Sequence, residues 1–188
     1  MELDVLFENI FQKLVKPDFG KNLGGEMPLF IQPLPVNLQQ ESEDEIERLV
    51  KRLRKQNINV EKVNLYDLMI EILSREGLLE TLLTDEANIE CDYIISTLDS
   101  VLDVQSVILP YLQQVVSEKN PHYLFISGVG TAYPFIRSHN ILNNIDGLSK
   151  DTNLILFFPG EYDNLQLKLF DKISDENYYR GHNINDIQ

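Results

Sequence analysis

The sequence is short of basic residues. Sixteen lysines and arginines stand against thirty aspartates and glutamates, a formal net charge of -14. Broad, sequence-independent nucleic-acid binding needs a basic surface, so this balance argues against it while leaving room for a local basic patch. An acidic surface keeps a protein soluble, and it also suits docking on a basic partner. Cysteine is nearly absent. Cys91 stands alone, which excludes a disulfide framework and a cysteine-rich zinc site, and fits a reducing cytoplasm. No apolar run is long enough to cross a membrane. Residues Met1 to Lys16 mix Glu2, Asp4 and Glu8 into their apolar positions, unlike the basic start and apolar core of a signal peptide. A cytoplasmic protein with no membrane contact is therefore expected. No internal repeat or low-complexity linker divides the 188 residues, which suffice for one domain (residues 1–188) with a sizeable core.

Catalytic signatures are also missing. Lys21 lies among Gly20, Gly24 and Gly25, but no Gly-Lys-Ser/Thr stands at phosphate-loop spacing. A plain turn is the simpler reading. Gly128-Val129-Gly130 has part of a dinucleotide fingerprint, with Tyr133 at the third glycine position. Ser127 is followed by Gly128 but has Phe125 where a nucleophile elbow needs glycine. His122, His139 and His182 form no local metal motif. A hydrolytic Ser–His–acid set assembled in space stays open as an unrecognised enzyme; a helix cap or internal polar network explains the same residues. No metal and no cofactor are expected.

The most informative stretch runs from His122 to Phe158. Two continuous apolar runs, Tyr123 to Ile126 and Leu154 to Phe158, bracket a glycine-punctuated loop and a helical pattern with Phe135, Ile136, Ile141 and Leu142 able to face inward. Continuous rather than alternating runs suit strands buried on both faces. Strand, loop, helix and strand together form the unit of a parallel α/β sheet. The expected fold is one α/β domain, with a mainly parallel central sheet and helices on both faces. It loosely echoes P-loop NTPases without their Walker motifs, since the strand that would end in a metal-holding acid ends in Ser127-Gly128. Ligands and partners of such sheets meet the loops beyond the strands' carboxyl ends, here Ser127 to Thr131 and Pro159 to Asp163.

In chain order, Leu3, Leu6, Phe7, Ile10, Phe11 and Leu14 recur at helical spacing, and Lys16-Pro17 ends that helix. Phe19 to Met27 reads as a loop. Pro28 to Leu34 is a short strand limited by Pro33 and Pro35. Ser42 to Glu45 reads as a capping box with Ser42 at the N-cap. Ile46, Leu49, Val50 and Leu53 form the buried stripe of the helix, and its basic end is a solvated one. A buried strand is expected over Ile58 to Leu65, then a helix from about Asp67 to Arg75 ended by Gly77. Leu78 to Leu83 is a short turn or helix. Ala87 to Leu98 and Val101 to Val116 are helical, with Pro110 starting or interrupting the second. Leu165, Leu167 and Leu169 alternate with polar residues, as an edge strand does. Pro159-Gly160 suits a tight turn.

Several blocks resemble the BrxB proteins of bacterial BREX phage-defence systems. They are Ser127 to Gly130 continuing through Pro134 to Asn144, Leu156 to Tyr162, and Asp175 to Arg180, with Gly24 to Phe30 and Val63 to Leu68 upstream. The resemblance spans nearly the whole chain. It implies a small cytoplasmic subunit that acts beside a PglZ-like protein, a PglX-like DNA adenine methyltransferase and a BrxC-like ATPase. The implied role is a non-catalytic accessory or assembly subunit bound to another BREX protein, foremost the PglZ-like one. Any association with DNA would be indirect, through the complex, and self-association is open. The alternative is a nucleotide- or nucleic-acid-binding regulator with a degenerate P-loop-like fold. Arg137, His139, Glu161, Tyr162 and Arg180 are the expected partner-docking set, with Tyr162 as its anchor. Ser127, Gly128, Gly130, Pro159 and Gly160 are the expected loop site. A buried Arg137–Glu161 ion pair tying loop to helix is the structural reading of the same residues.

Overall fold

The structure, a computed structural model, describes residues 3–21, 28–145, 148, 151–163, 165–174, 179 and 181–187. Helix α1 spans Leu3–Leu14 and buries Leu6, Phe7, Ile10 and Leu14. Strand β1 is Leu29–Leu34, helix α2 is Gln39–Lys55, and strand β2 is Val60–Asn64. Four helices follow: α3 (Leu65–Arg75), α4 (Leu78–Asp85), α5 (Cys91–Val101) and α6 (Leu109–Lys119). Strand β3 is Tyr123–Ser127. Two short helices, α7 (Val129–Ala132) and α8 (Ser138–Leu142), lead to β4 (Asn153–Tyr162). Strands β5 (Leu167–Leu169), β6 (Ile173–Ser174) and β7 (His182–Asn183) complete the chain.

The sheet runs β2-β3-β4-β1-β7, and every pairing along that path is parallel. From β1 the chain crosses to the far edge through α2, then returns strand by strand through α3 to α8. Right-handed crossovers travelling in opposite directions must lie on opposite faces. The two cores obey this. Phe30, Phe125, Ile155 and Phe157 pack with α1 and α2, while Ile31, Leu124, Ile126 and Leu156 pack with α3 to α8. Alternate residues of one strand thus serve different cores, which is why the runs are continuously apolar. All five residues of β3 are buried. The α/β class, the mainly parallel sheet and the helices on both faces agree with the sequence reading.

Five local expectations are corrected. Ser42 does not cap α2. The chain turns through a 3-10 segment at Val36–Leu38 and enters the helix at Gln39, so Ser42 sits buried in its first turns. Pro159 to Tyr162 is not a turn or loop: β4 runs on beyond the parallel sheet and pairs antiparallel with β5. The helix after β3 is two short ones, with Tyr133 extended between them. Strand β2 is only half-buried, because it forms the sheet edge. Leu165 lies outside β5 and is exposed. Pro33 is tolerated in β1 because β7 pairs only with Phe30 and Ile31, leaving Pro33 without a paired strand residue on that side among the described residues. The loop expected over Phe19 to Met27 turns through Lys21; residues 22–27 lie outside the described ones.

These packing roles set a scale. Phe125 is fully buried, with its ring centroid 5.1 Å from that of Phe157. Phe125→Ala is expected to lower the unfolding free energy by about 3–5 kcal/mol in urea denaturation. The Tyr123 hydroxyl, buried beneath α1, donates to the Leu14 carbonyl at 2.9 Å. Tyr123→Phe is expected to cost about 1 kcal/mol, the loss of one such bond.

Candidate functional site

The loop-site residues Ser127, Gly128, Gly130 and Pro159 line one cleft of about 310 Å³ at the carboxyl edge of the sheet. Helix α2 leaves there toward one face, and α3 and α7 leave toward the other. Ligands of open α/β sheets bind in such a crevice. Gly160 is the exception among the five. It lies further along β4, at φ +142°, where a Cβ would overlap the Lys168 carbonyl.

One carboxylate organises the cleft. Glu43 Oε1 accepts hydrogen bonds from Lys62 Nζ at 2.6 Å, Ser127 Oγ at 2.9 Å and Asn64 Nδ2 at 3.0 Å. Lys62 also pairs with Glu47 at 2.5 Å. Burial pulls the Lys62 pKa down, but its hydrogen bonds to Glu43 and Glu47 outweigh that and hold it above the ordinary lysine value. Asn64 Oδ1 accepts from the backbone N–H groups of Tyr66 and Asp67, capping α3. Gly128 packs against that cap at φ +71°, and a Cβ there would overlap Asn64 Oδ1. Ser42 also lines the cleft, and its buried Oγ has no hydrogen-bond partner among the described residues.

Ser127 donates its proton to a carboxylate that Lys62 already neutralises, and His139 lines a different cleft, so the structure does not bring Ser127 and His139 into one cleft. A phosphate cradle needs converging backbone N–H groups. Here the β1–α2 turn begins with Pro35, which has none. No group of three His, Cys, Asp or Glu side chains able to hold a metal occurs among the described residues. No helix of the described chain is long and apolar enough to cross a membrane.

The described members of the expected docking set are dispersed. Arg137 and His139 line a second cleft of about 330 Å³, with Leu167 and Leu169 of β5 opposite. Arg137 is exposed, and its Nε donates to the Pro134 carbonyl at 3.4 Å. Glu161 pairs across the hairpin with Lys168 at 3.6 Å. Because Lys168 lies between Leu167 and Leu169, that pair faces away from the second cleft. The expected Arg137–Glu161 ion pair is therefore replaced by a Glu161–Lys168 one. Tyr162 stands at the end of β4. It is buried, and its hydroxyl donates to the carbonyls of Gly181 at 2.8 Å and Tyr179 at 3.1 Å. Burial raises its pKa. Arg180 lies outside the described residues. Sequence reasoning missed Glu43, Lys62 and Asn64. Their signal was two polar residues at i and i+2 near the end of a strand, which places both on one face.

A family model described as "BREX protein BrxB" matches residues 61–184. Two curated relatives carry the same description. One, from Bacillus cereus (strain H3081.97), is 32% identical over 178 residues, spanning 93% of this chain and 93% of its own length. The other, from Escherichia coli O9:H4 (strain HS), is 23% identical over 181 residues, spanning 95% and 90%. No solved structure matches significantly.

Two measurements follow from the geometry. Tyr162→Phe should lower stability by about 1–2 kcal/mol, because the variant leaves the Tyr179 and Gly181 carbonyls without their donor. A raised Lys62 pKa stabilises the fold fully below the unfolded lysine value of 10.5 and ceases to as pH climbs through the folded value. The stability gap between the wild type and Glu43→Gln should therefore be widest below about pH 10 and narrow above it, read by denaturant titration across that range.

Proposed function

The chain belongs to the BrxB family of BREX proteins, and from that premise we propose that it is a non-catalytic assembly subunit of an anti-phage defence system. Its task in this reading is to bind another BREX protein, foremost a PglZ-like one, in the cytoplasm. The observation that carries the reading is the internal use of the cleft's chemistry. The Glu43 carboxylate, where a reactive or phosphate-binding group would be wanted, is bonded to Lys62, Asn64 and Ser127 of its own fold. Ser127, Gly128, Gly130 and Pro159 then serve as joints between strand ends and helices. Gly160 lets β4 continue into its hairpin. In this reading contact with DNA is indirect, through the partner.

The second reading is a nucleotide-binding regulator. Its support is the position of the cleft, at the carboxyl edge where helices leave for opposite faces. Two experiments separate the readings. Affinity purification of the chain from its intact operon is expected to capture the PglZ-like subunit. A nucleotide present at a hundred times its Kd would add about 2.7 kcal/mol, roughly 5–10 °C in melting temperature for a chain of this size. The expected shift with millimolar ATP and magnesium is none. A shift of that size, without subunit capture, favours the regulator.

A further inference from the structure

We propose that the groove between α3 and α4 is the docking surface, and that it takes an amphipathic helix whose apolar stripe is flanked by lysines and arginines. The inference rests on the assembly role proposed above and gives that role its surface. Helix α4 carries four leucines, Leu78, Leu79, Leu82 and Leu83, and none of its residues is buried. Leu83 is 78% exposed and Tyr66 is 41% exposed. Tyr66 and Ile70 on α3, and Leu79 and Leu83 on α4, are each four residues apart and line a single groove. Residues at that spacing stand on one helix face, so the groove has an apolar ridge on either side. Two such ridges offer the seat into which an amphipathic helix lays its own stripe. The eleven residues of α3 present about 16 Å of groove, room for roughly three helical turns. Through Tyr66 and Asp67 the groove opens into the cleft at the sheet edge.

Charge selects the occupant. Between Asn64 and Glu118 the sequence holds eleven acidic residues and a single basic one, Arg75. All eleven are exposed, and Arg75 pairs with Glu76 at 3.5 Å. Asp67 and Glu71 stand on the groove itself. A second copy would set acids against acids, and an anionic lipid surface would be repelled in the same way. A helix edged with lysine and arginine gains attraction along the α3 rim at Asp67 and Glu71, where Arg75 is the one basic lining residue, while its apolar side covers Leu79 and Leu83.

The test uses the full chain in its operon. A photoreactive benzoylphenylalanine replaces Leu83 in one strain and the distant exposed Leu165 in another, and cross-linked peptides are sequenced after irradiation. The expected result is a cross-link from position 83 to a segment of another subunit with helical apolar spacing and flanking Lys or Arg. Leu83→Glu, which keeps the wild-type melting temperature because the side chain is exposed, is expected to weaken capture of that subunit at least tenfold. Cross-links to a second copy, or to a segment without basic flanks, overturn the proposal. So does unchanged capture by Leu83→Glu. If the wild-type chain captures no subunit at all, the assembly role itself fails. If it captures one that position 83 never touches, only this surface is wrong.

Discussion

The Glu43 carboxylate is the contact on which the arrangement of the carboxyl edge depends. It reaches from α2 on one face to Lys62 and Asn64 of β2 and Ser127 of β3. Three separately folded segments are thereby fixed to one partly buried atom. Removing such an acceptor leaves an amide and a hydroxyl to find new partners at once, with Lys62 held by Glu47 alone, which is why hydrogen-bonded charge networks cost more to break than their members suggest. The same contact uses up the chemistry of the crevice. At the edge where such a fold ordinarily meets a ligand, this network ties two strand ends to α2.

With the crevice turned inward, the outward features gain weight. The two faces of the sheet are covered unequally. Helices α1 and α2 bury their apolar stripes well, and Arg52 lies over the Phe11 ring at 3.8 Å on that side. On the other face, α3 and α6 supply buried residues while α4 supplies none. Most of the acidic excess falls in the segment that includes α4. An apolar ridge inside an acidic rim has a favourable place against a basic amphipathic surface and an unfavourable one against itself, so charge gives the specificity and the leucines the affinity.

Much of this was legible from residues alone. The runs Tyr123–Ile126 and Leu154–Phe158 announced strands buried on both sides, and Gly77, Asn120-Pro121 and Lys16-Pro17 marked where helices stop. The parts that were not legible depend on neighbours distant in sequence. Pro159-Gly160 has the composition of a turn, but pairing with Leu167–Leu169 draws it into a strand. Ser42 has the right partner spacing for a capping box, but the 3-10 turn after Pro35 starts the helix four residues earlier, with Leu38 at the N-cap. Tyr162 has the residue type of an interface anchor, but the Tyr179 and Gly181 carbonyls hold it inside. The carboxyl-edge cleft was legible in four of its glycine, serine and proline positions. Its central carboxylate was not, because a glutamate in the first turns of a helix is ordinarily accounted for by the helix dipole.

The central claim is that this chain works through an outer surface and not through its crevice. Hydrogen exchange followed by mass spectrometry, with the chain free and bound to its captured subunit, tests that claim most directly. The account predicts that binding slows exchange across residues 65–85, while the strand ends and loop at 127–131 and the start of α2 exchange as before. Slowed exchange confined to residues 127–131 and the start of α2, with 65–85 unchanged, would contradict it.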